Sequence, residues 1–258
     1  MPDAPLGLFG GTFDPVHFGH LRLAEEARET LGLAKVIWIP AGQPPLRDAP
    51  GRSAADRLAM VRLAVAGNPG FTIDDGEVVA AGTSYTVNTL ERLRAAHGER
   101  QPLVLLLGAD AFGRLDAWHR WRELFGLAHI AVATRPGHAL GVGPGGSCGV
   151  PPRREVRAGG SCGVPPDPKV SPGGTAPDAG ERGWAPDLCA EYAARHGCPA
   201  DLAESPAGRI VPFTMSGLEI SATALRGHFA AGTNPRYLAP DAVLDYIDRH
   251  HLYRNPQR

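Results

Sequence analysis

The chain has 258 residues, 43% hydrophobic and 21% charged, a composition typical of a globular protein long enough to bury a core. Its 26 lysines and arginines nearly balance 27 aspartates and glutamates, which excludes the overall basic field expected of a protein that binds a nucleic-acid polymer. Only Lys35 and Lys169 are lysines, so a phosphate site here must use arginine, histidine and backbone N–H groups.

The sequence predicts neither a membrane span nor a disulfide scaffold. Its longest apolar stretch, residues 103–107, is far shorter than the roughly 20 residues that cross a bilayer. The first residues lack the basic and apolar regions of a signal peptide, and the 4 cysteines are too few for a disulfide framework of this size. We therefore expect a cytoplasmic protein.

Short apolar runs alternate with helical patterns through the first half of the chain. In chain order the patterns predict a strand at 6–9, a helix at 18–31, a strand at 36–39, a capped helix at 53–65, weak strands at 71–73 and 78–79, a helix at 87–96, a strand at 103–107, a helix at 119–127 and a strand at 130–133. Such alternation predicts a Rossmann-like, doubly wound α/β fold with a mainly parallel sheet and helices on both faces.

The alternation stops between residues 137 and 183. This stretch holds 13 glycines and 8 prolines but no Phe, Trp or Tyr, and the octamer GGSCGVPP occurs in it twice, at 145–152 and 159–166. Without an aromatic anchor it cannot offset the entropy cost of ordering. A helix at 186–195, a strand at 209–213 and helices at 223–231 and 240–250 follow. We therefore predict one domain, residues 1–258, interrupted by a disordered insertion at 137–183.

The strongest motif is G-G-T-F-D-P-V-H-F-G-H at residues 10–20, where the first strand gives way to a helix. Its glycines allow close approach of a ligand to the backbone, and His17 and His20 lie three residues apart on one side of the first helical turn. Free N–H groups and the positive end of the helix dipole point the same way. Together these features predict an anion site suited to a polyphosphate.

A second motif, I-S-A-T-A-L-R at residues 220–226, precedes and enters a later helix. Ser221 and Thr223 by themselves predict only a helix cap. Arg226 comes about one turn later, where its guanidinium could reach phosphate oxygens at the helix start. Two anion-binding helix starts far apart in sequence are explained if the fold brings them to one triphosphate.

Polar and aromatic residues also cluster near predicted strand ends. S-Y-T at 84–86 precedes a helix, G-A-D at 108–110 ends the buried strand, and W-H-R-W follows at 118–121. Carboxyl ends of parallel strands are where such sheets bind ligands. Composition alone favours a packing role for Trp118 and Trp121.

With these motifs the chain resembles the T/H-x-G-H nucleotidyltransferases, and most closely the bacterial nicotinate-nucleotide adenylyltransferases, marked by G-G-T-F-D-P-x-H-x-G-H. The resemblance covers residues 6–137 and 184–253. It implies transfer of the adenylyl group of ATP to nicotinate mononucleotide, with no nucleic-acid or membrane partner; a homo-oligomer stays open. It also implies magnesium, held mainly by the ATP phosphates.

The resemblance further assigns roles to individual residues. His17, His20 and Arg226 are expected to be catalytic, with His20 stabilising charge on the α-phosphoryl group. The residues expected to bind ATP are Gly10, Gly11, Thr12, Ser221, Thr223 and Arg47. The residues expected to bind nicotinate mononucleotide are Thr86 through its backbone, Asp110 through ligand hydroxyls, and Trp118 by stacking on the pyridine ring.

The sequence departs from the family pattern at two places. Leu46 and Arg47 stand where the family has His and Lys, so the charge is kept and the hydrogen bond of the histidine is lost. Ala222 replaces the second Ser of I-S-S-T-x-I-R, which removes one hydroxyl contact.

Other functions fit less well. An adenylyltransferase for nicotinamide mononucleotide or a pantetheine phosphate is disfavoured by S-Y-T and by the spacing from G-A-D to Trp118. A class I aminoacyl-tRNA synthetase would need a lysine-rich second motif and a much longer chain. The alternative from a different functional class is a nucleotide-binding sensor without catalytic activity. The intact His17, His20 and Arg226 argue against it.

Replacing residues 137–183 by a short loop should leave activity intact, because loop length between a strand and a helix costs little free energy. Steady-state kinetics on the deletion variant check this. The competing hypothesis is a lid over the nucleotide. A folded deletion variant with roughly tenfold lower kcat/KM for either substrate, about 1.4 kcal/mol, would place the insertion in the active site.

Overall fold

The computed structural model describes residues 3–45, 50–80, 82–135 and 184–254. The insertion predicted at 137–183 and the departures at Leu46 and Arg47 lie outside these ranges. Strands in the described residues are β1 (Leu6–Gly11), β2 (Lys35–Pro40), β3 (Phe71–Ile73), β4 (Leu103–Gly108), β5 (His129–Thr134) and β6 (Ile210–Thr214). All six agree with strands predicted from sequence to within two residues.

The strands form one sheet in the order β3-β2-β1-β4-β5-β6, and every neighbouring pair is parallel. The chain builds outward from β1 to β3 and then crosses back to place β4 on the other side of β1. The order therefore reverses between β1 and β4. This is the doubly wound arrangement that the strand–helix alternation predicts, and it is confirmed.

Helices in the described residues are α1 (Phe18–Thr30), α2 (Ala54–Val65), α3 (Gly76–Val79), α4 (Thr86–His97), α5 (Ala109–Phe112), α6 (Leu124–Leu127), α7 (Pro186–Arg195), α8 (Ala222–Ala231) and α9 (Asp241–Arg249). No helix within the described ranges has the length and apolar character that a membrane crossing requires.

Alternate side chains of the five longer strands enter two separate cores, because successive strand residues point to opposite faces. On β4, Val104 and Leu106 face one core, whereas Leu103, Leu105 and Leu107 face the other. The first core packs against α1, α2, α8 and α9, and the second against α4 to α7. Helices thus cover both faces of the sheet, as predicted.

Two predicted elements are wrong. Val78 and Val79 form the end of the short helix α3 instead of a strand: both backbone N–H groups donate to Asp75 O, and Val79 is 77% exposed. The helix predicted at 119–127 is interrupted because Arg120 adopts φ 52°, a left-handed conformation. A 3₁₀ turn at Trp121–Glu123 and then α6 replace it.

A buried histidine ties the start of β5 to the chain leading into β6. His129 is fully buried; its Nε2 lies 2.8 Å from Ser205 O, and Arg209 N donates to its Nδ1 at 3.0 Å. Because Nδ1 accepts, the proton of the neutral ring is on Nε2 and donates to Ser205. Burial lowers the pKa of His129 below its ordinary value and keeps the ring neutral.

Replacing His129 with Leu should lower the free energy of unfolding by about 1–2 kcal/mol, since a partly buried N–H and a partly buried C=O lose their partner. Urea denaturation at pH 8 measures this. Below about pH 6.5 the unfolded wild-type chain binds a proton on His129 that the folded chain resists, so wild-type stability falls as the pH falls. His129→Leu should lose less stability over that range, and an equal loss would contradict the assignment.

Candidate active site

The sheet splits at its carboxyl edge between β1 and β4. Pairing between these strands ends at Leu8 and Leu105, whereas β1 continues beside β2 to Gly11 and β4 continues beside β5 to Gly108. The last three residues of each strand are therefore not paired with each other, which leaves a crevice at this edge of the sheet. It lies where the strand order reverses, the usual ligand site of such sheets.

Three glycines at this crevice lack side chains for different reasons. A Cβ on Gly10 or on Gly108 would meet nothing within 4 Å, so both backbones are open to a ligand. A Cβ on Gly11 would lie 2.8 Å from the ring of Phe13. Gly10 thus fits the close backbone approach predicted from sequence, whereas Gly11 is required by the packing of Phe13.

His17 and His20 lie together where α1 begins. His17 has an extended backbone at the N-cap, and its N–H donates to Nδ1 of His20 at 3.2 Å. The two rings stack with centroids 3.7 Å apart at 27°. Because Nδ1 of His20 accepts, its Nε2 bears the proton of the neutral ring and can donate to a ligand.

His17 is held in its neutral form. Its side chain is buried, and burial lowers its pKa to about 4. Its Nδ1 is also buried and has no hydrogen-bond partner in the part of the chain that the structure describes. His20 packs edge-on against Phe13 with centroids 5.1 Å apart, which fixes the direction of its ring. The pair can therefore act as neutral donors to an anion.

A buried arginine holds the turn between β1 and α1. Arg57 on α2 is 1% exposed; its Nη1 donates to Thr12 O at 2.7 Å and its Nη2 to Gly42 O at 2.8 Å. It thereby joins the turns that follow β1 and β2. Sequence reasoning missed Arg57, although its place among the buried residues Leu58 and Met60 is a signal, since a charge on an apolar helix face needs buried partners.

The second motif reaches the same turn from the opposite end of the chain. Ser221 caps α8 by accepting from Ala224 N at 3.1 Å. From the first turns of α8, Arg226 donates through Nη1 to Asp14 O at 2.7 Å and through Nη2 to Thr223 Oγ1 at 3.2 Å. The structure thus brings together the two motifs, about 200 residues apart in sequence, as predicted. Ala222 is the first helical residue.

The two helix starts are also packed closely by a glycine and a glutamate. A Cβ on Gly19 would lie 3.0 Å from His17 Nδ1 and 3.5 Å from Ile220 O, so a larger residue there would crowd the ring of His17. Glu26, buried on α1, accepts from Ser216 N at 2.5 Å and anchors the segment between β6 and α8. Sequence reasoning missed Glu26, which occupies an inward-facing position of α1.

Two of the segments expected to bind the acceptor, S-Y-T and W-H-R-W, also meet. Thr86 is the first residue of α4, and the ring of the preceding Tyr85 lies 4.5 Å from that of His119. Trp118, next to His119, is half-buried against the second core. Asp110 is exposed just after β4, at the carboxyl edge of the sheet.

Ser84 links this region to the turn after β2. Its Oγ accepts from Gly42 N at 3.0 Å and from Gln43 N at 3.2 Å, and its own N–H donates to Gln43 O at 2.9 Å. Gly42 is therefore held by Ser84 on one side and by Arg57 on the other. Arg47, expected to bind ATP, is outside the described residues.

A model of the cytidylyltransferase-like family matches residues 8–227 of the chain. A Dechloromonas aromatica protein named "Probable nicotinate-nucleotide adenylyltransferase" is 48% identical over 252 residues, 97% of this chain and 98% of that protein. A Laribacter hongkongensis protein of the same name is 43% identical over 257 residues, 99% of this chain and 97% of that protein. The chain belongs to the nicotinate-nucleotide adenylyltransferase family. It is therefore a nucleotidyltransferase.

The fold of this adenylyltransferase family member is also that of a solved Plasmodium falciparum nicotinic acid mononucleotide adenylyltransferase, described as complexed with NaAD. The TM-score is 0.60, and the match covers 97% of this chain and 98% of that one. Sequence identity is 11%, so the likeness concerns the fold alone.

Groups of three or more His, Cys, Asp or Glu side chains that could hold a metal ion do not occur within residues 3–45, 50–80, 82–135 and 184–254. Around the crevice the donors brought together are nitrogens of His17, His20 and Arg226. These suit phosphate oxygens more than a hard cation.

Replacing Gly10 with Ala should weaken ATP binding roughly tenfold or more, because the new methyl group would occupy the crevice. Since that methyl group meets nothing in the protein within 4 Å, the melting temperature should stay within about 2 °C of wild type. Titration calorimetry with ATP and thermal unfolding measure the two effects. Gly126→Ala, at an exposed site in α6 where a Cβ also meets nothing within 4 Å, is the control: it should leave ATP affinity unchanged and should not lower the melting temperature, since alanine favours a helix. Unchanged ATP affinity in Gly10→Ala would remove Gly10 from the site.

Proposed function

We propose that this protein transfers the adenylyl group of ATP to nicotinate mononucleotide, giving nicotinate adenine dinucleotide and pyrophosphate in NAD biosynthesis. The observation that carries the proposal is the hydrogen bond from Arg226 to Asp14 O, which places the start of α8 against the start of α1. Two helix N-termini, two imidazoles and a guanidinium then lie at the carboxyl edge of one sheet, an arrangement suited to a triphosphate.

In the proposed reaction a phosphate oxygen of nicotinate mononucleotide attacks the α-phosphorus of ATP. A new P–O bond forms, the bond from the α-phosphorus to the bridging oxygen breaks, and that oxygen leaves with pyrophosphate. No side-chain nucleophile is needed, so catalysis rests on positioning and on stabilisation of charge.

His20 and Arg226 have separate tasks in this proposal. The Nε2 proton of His20 donates to an oxygen of the α-phosphoryl group, where negative charge builds up. Arg226 supplies the full positive charge, and its bonds to Asp14 O and Thr223 Oγ1 fix its direction before ATP binds. His17, neutral above about pH 4, contributes a polar contact without a second charge.

We propose that the acceptor, nicotinate mononucleotide, binds against two segments of the chain. One contains Tyr85 and the other His119, and the rings of these residues are in contact. The start of α4 offers backbone N–H groups at Thr86 for the nicotinate carboxylate. Trp118 offers an indole face for the pyridine ring, and Asp110 accepts from ligand hydroxyls.

Magnesium is part of this proposal, with most of its ligands supplied by the phosphates of ATP. When bound, the ion would neutralise part of the negative charge of the phosphates. The nitrogen donors of the protein then contact the remaining phosphate oxygens. The cytosol is the proposed compartment.

The proposal is tested by measuring pyrophosphate release with ATP and either nicotinate mononucleotide or nicotinamide mononucleotide. Turnover with the acid in clear excess over the amide is expected, because free N–H groups at a helix start favour a carboxylate. A preference for nicotinamide mononucleotide would mean that the amide, and not the acid, is the acceptor. Absence of turnover with either compound would favour a nucleotide-binding sensor.

Replacing His20 with Ala should lower kcat roughly 100- to 1,000-fold, the usual cost of losing one donor to developing charge. The melting temperature should change little in comparison, since the ring lies at the edge of the first core. Steady-state kinetics together with thermal unfolding check this. A variant that keeps a third of wild-type turnover would contradict the role of His20.

A further inference from the structure

Asp14, three residues before His17, accepts hydrogen bonds from several other parts of the chain within the turn that carries the first motif. It is 6% exposed, and its Oδ2 accepts from Gly51 N at 2.8 Å. Its backbone oxygen accepts from Arg226. Its side chain and its main chain therefore contact different parts of the fold, and a shift of this residue would move both Arg226 and the turn.

The remaining oxygen of Asp14 is bonded by a residue near the C-terminus. The hydroxyl of Tyr253 donates to Asp14 Oδ1 at 2.5 Å, across 239 positions of the sequence. Tyr253 is 7% exposed and stacks on Phe229 of α8 with centroids 5.9 Å apart. It therefore contacts both the turn that carries the histidines and the helix that carries Arg226.

The backbone of Tyr253 adopts a conformation that tyrosine disfavours, so surrounding contacts hold the residue in place. Its φ is 62°, in the left-handed region that tyrosine rarely adopts. Such conformations persist where surrounding contacts determine them. The guanidinium of Arg52, 5.0 Å from the ring centroid, covers the same ring. The hydroxyl is thus directed at Asp14 by contacts on several sides.

We propose that Tyr253 is a positioning residue of the transfer reaction, and that its hydroxyl fixes Asp14 and, through it, Arg226. The inference rests on the proposed function, because it concerns alignment for the same reaction. Without the hydroxyl, Asp14 keeps Gly51 as a donor but loses the bond that sets the angle of its carboxylate. Its backbone oxygen then no longer holds the guanidinium in one place.

The test compares Tyr253→Phe with Tyr246→Phe in the full-length protein. Both variants remove only a hydroxyl, and Tyr246 is a matched control because it donates at 3.0 Å to Asp56, away from the first motif. We expect Tyr253→Phe to lower kcat for pyrophosphate release about tenfold, the scale of one lost hydrogen bond to a charged group. The KM for nicotinate mononucleotide should stay within about twofold, and Tyr246→Phe should keep wild-type kinetics.

A double-mutant cycle separates positioning from general stability. In an Arg226→Ala background, Tyr253→Phe should lower the residual kcat less than about twofold, because the group that it positions is gone. Equal losses with and without Arg226, or a wild-type kcat in Tyr253→Phe, would overturn the inference while leaving the proposed function intact. A wild-type protein without turnover would instead refute the proposed function, and the inference with it.

Discussion

The early end of the ladder between β1 and β4 is the constraint on which the site depends. Because pairing stops at Leu8 and Leu105, the turns after these strands separate, and both must be held by contacts other than the sheet. On the β1 side, Arg57 binds Thr12 O, and Asp14 is bonded by three parts of the chain. The crevice stays open because side chains, and not strand pairing, fix its walls.

The two arginines at this turn donate to main-chain oxygens, as Arg94 and Arg249 do elsewhere, whereas eight other arginines in the described residues pair with carboxylates. Arg28, Arg92 and Arg120 pair with carboxylates, so each of those positive charges is largely neutralised. Arg57 and Arg226 donate instead to backbone carbonyls. Carbonyl oxygens satisfy the N–H groups without cancelling the charge. The buried Asp14 carboxylate offsets part of the charge of Arg57, which leaves Arg226 as the cation that the proposed function assigns to a polyphosphate.

Periodicity and turn chemistry predicted the sheet and both phosphate motifs, because these depend on residues near one another in sequence. The pair Val78–Val79 was too short to distinguish strand from helix, and nothing local revealed the left-handed Arg120 that shortens the helix after Trp118. Contacts such as Tyr253 with Asp14 join the ends of the chain, so they follow from the fold and could not be read from a local pattern. The alternation could place Arg57 on a buried face, but its acceptors appear only once the turns after β1 and β2 are in place.

The histidine pair shows why the positive charge must come from elsewhere. Their rings are 3.7 Å apart, and burial already lowers the pKa of His17 to about 4, so two imidazolium ions would repel each other in a poorly solvated place. The pair therefore contributes directed, neutral N–H groups. Neutral N–H donors lose little solvation free energy when a phosphate binds. A fully charged guanidinium, by contrast, must already be oriented by hydrogen bonds to backbone oxygens. In the proposed function Arg226 supplies that charge from the start of α8 and the histidines supply neutral N–H groups from the start of α1, so the proposal requires both helix starts.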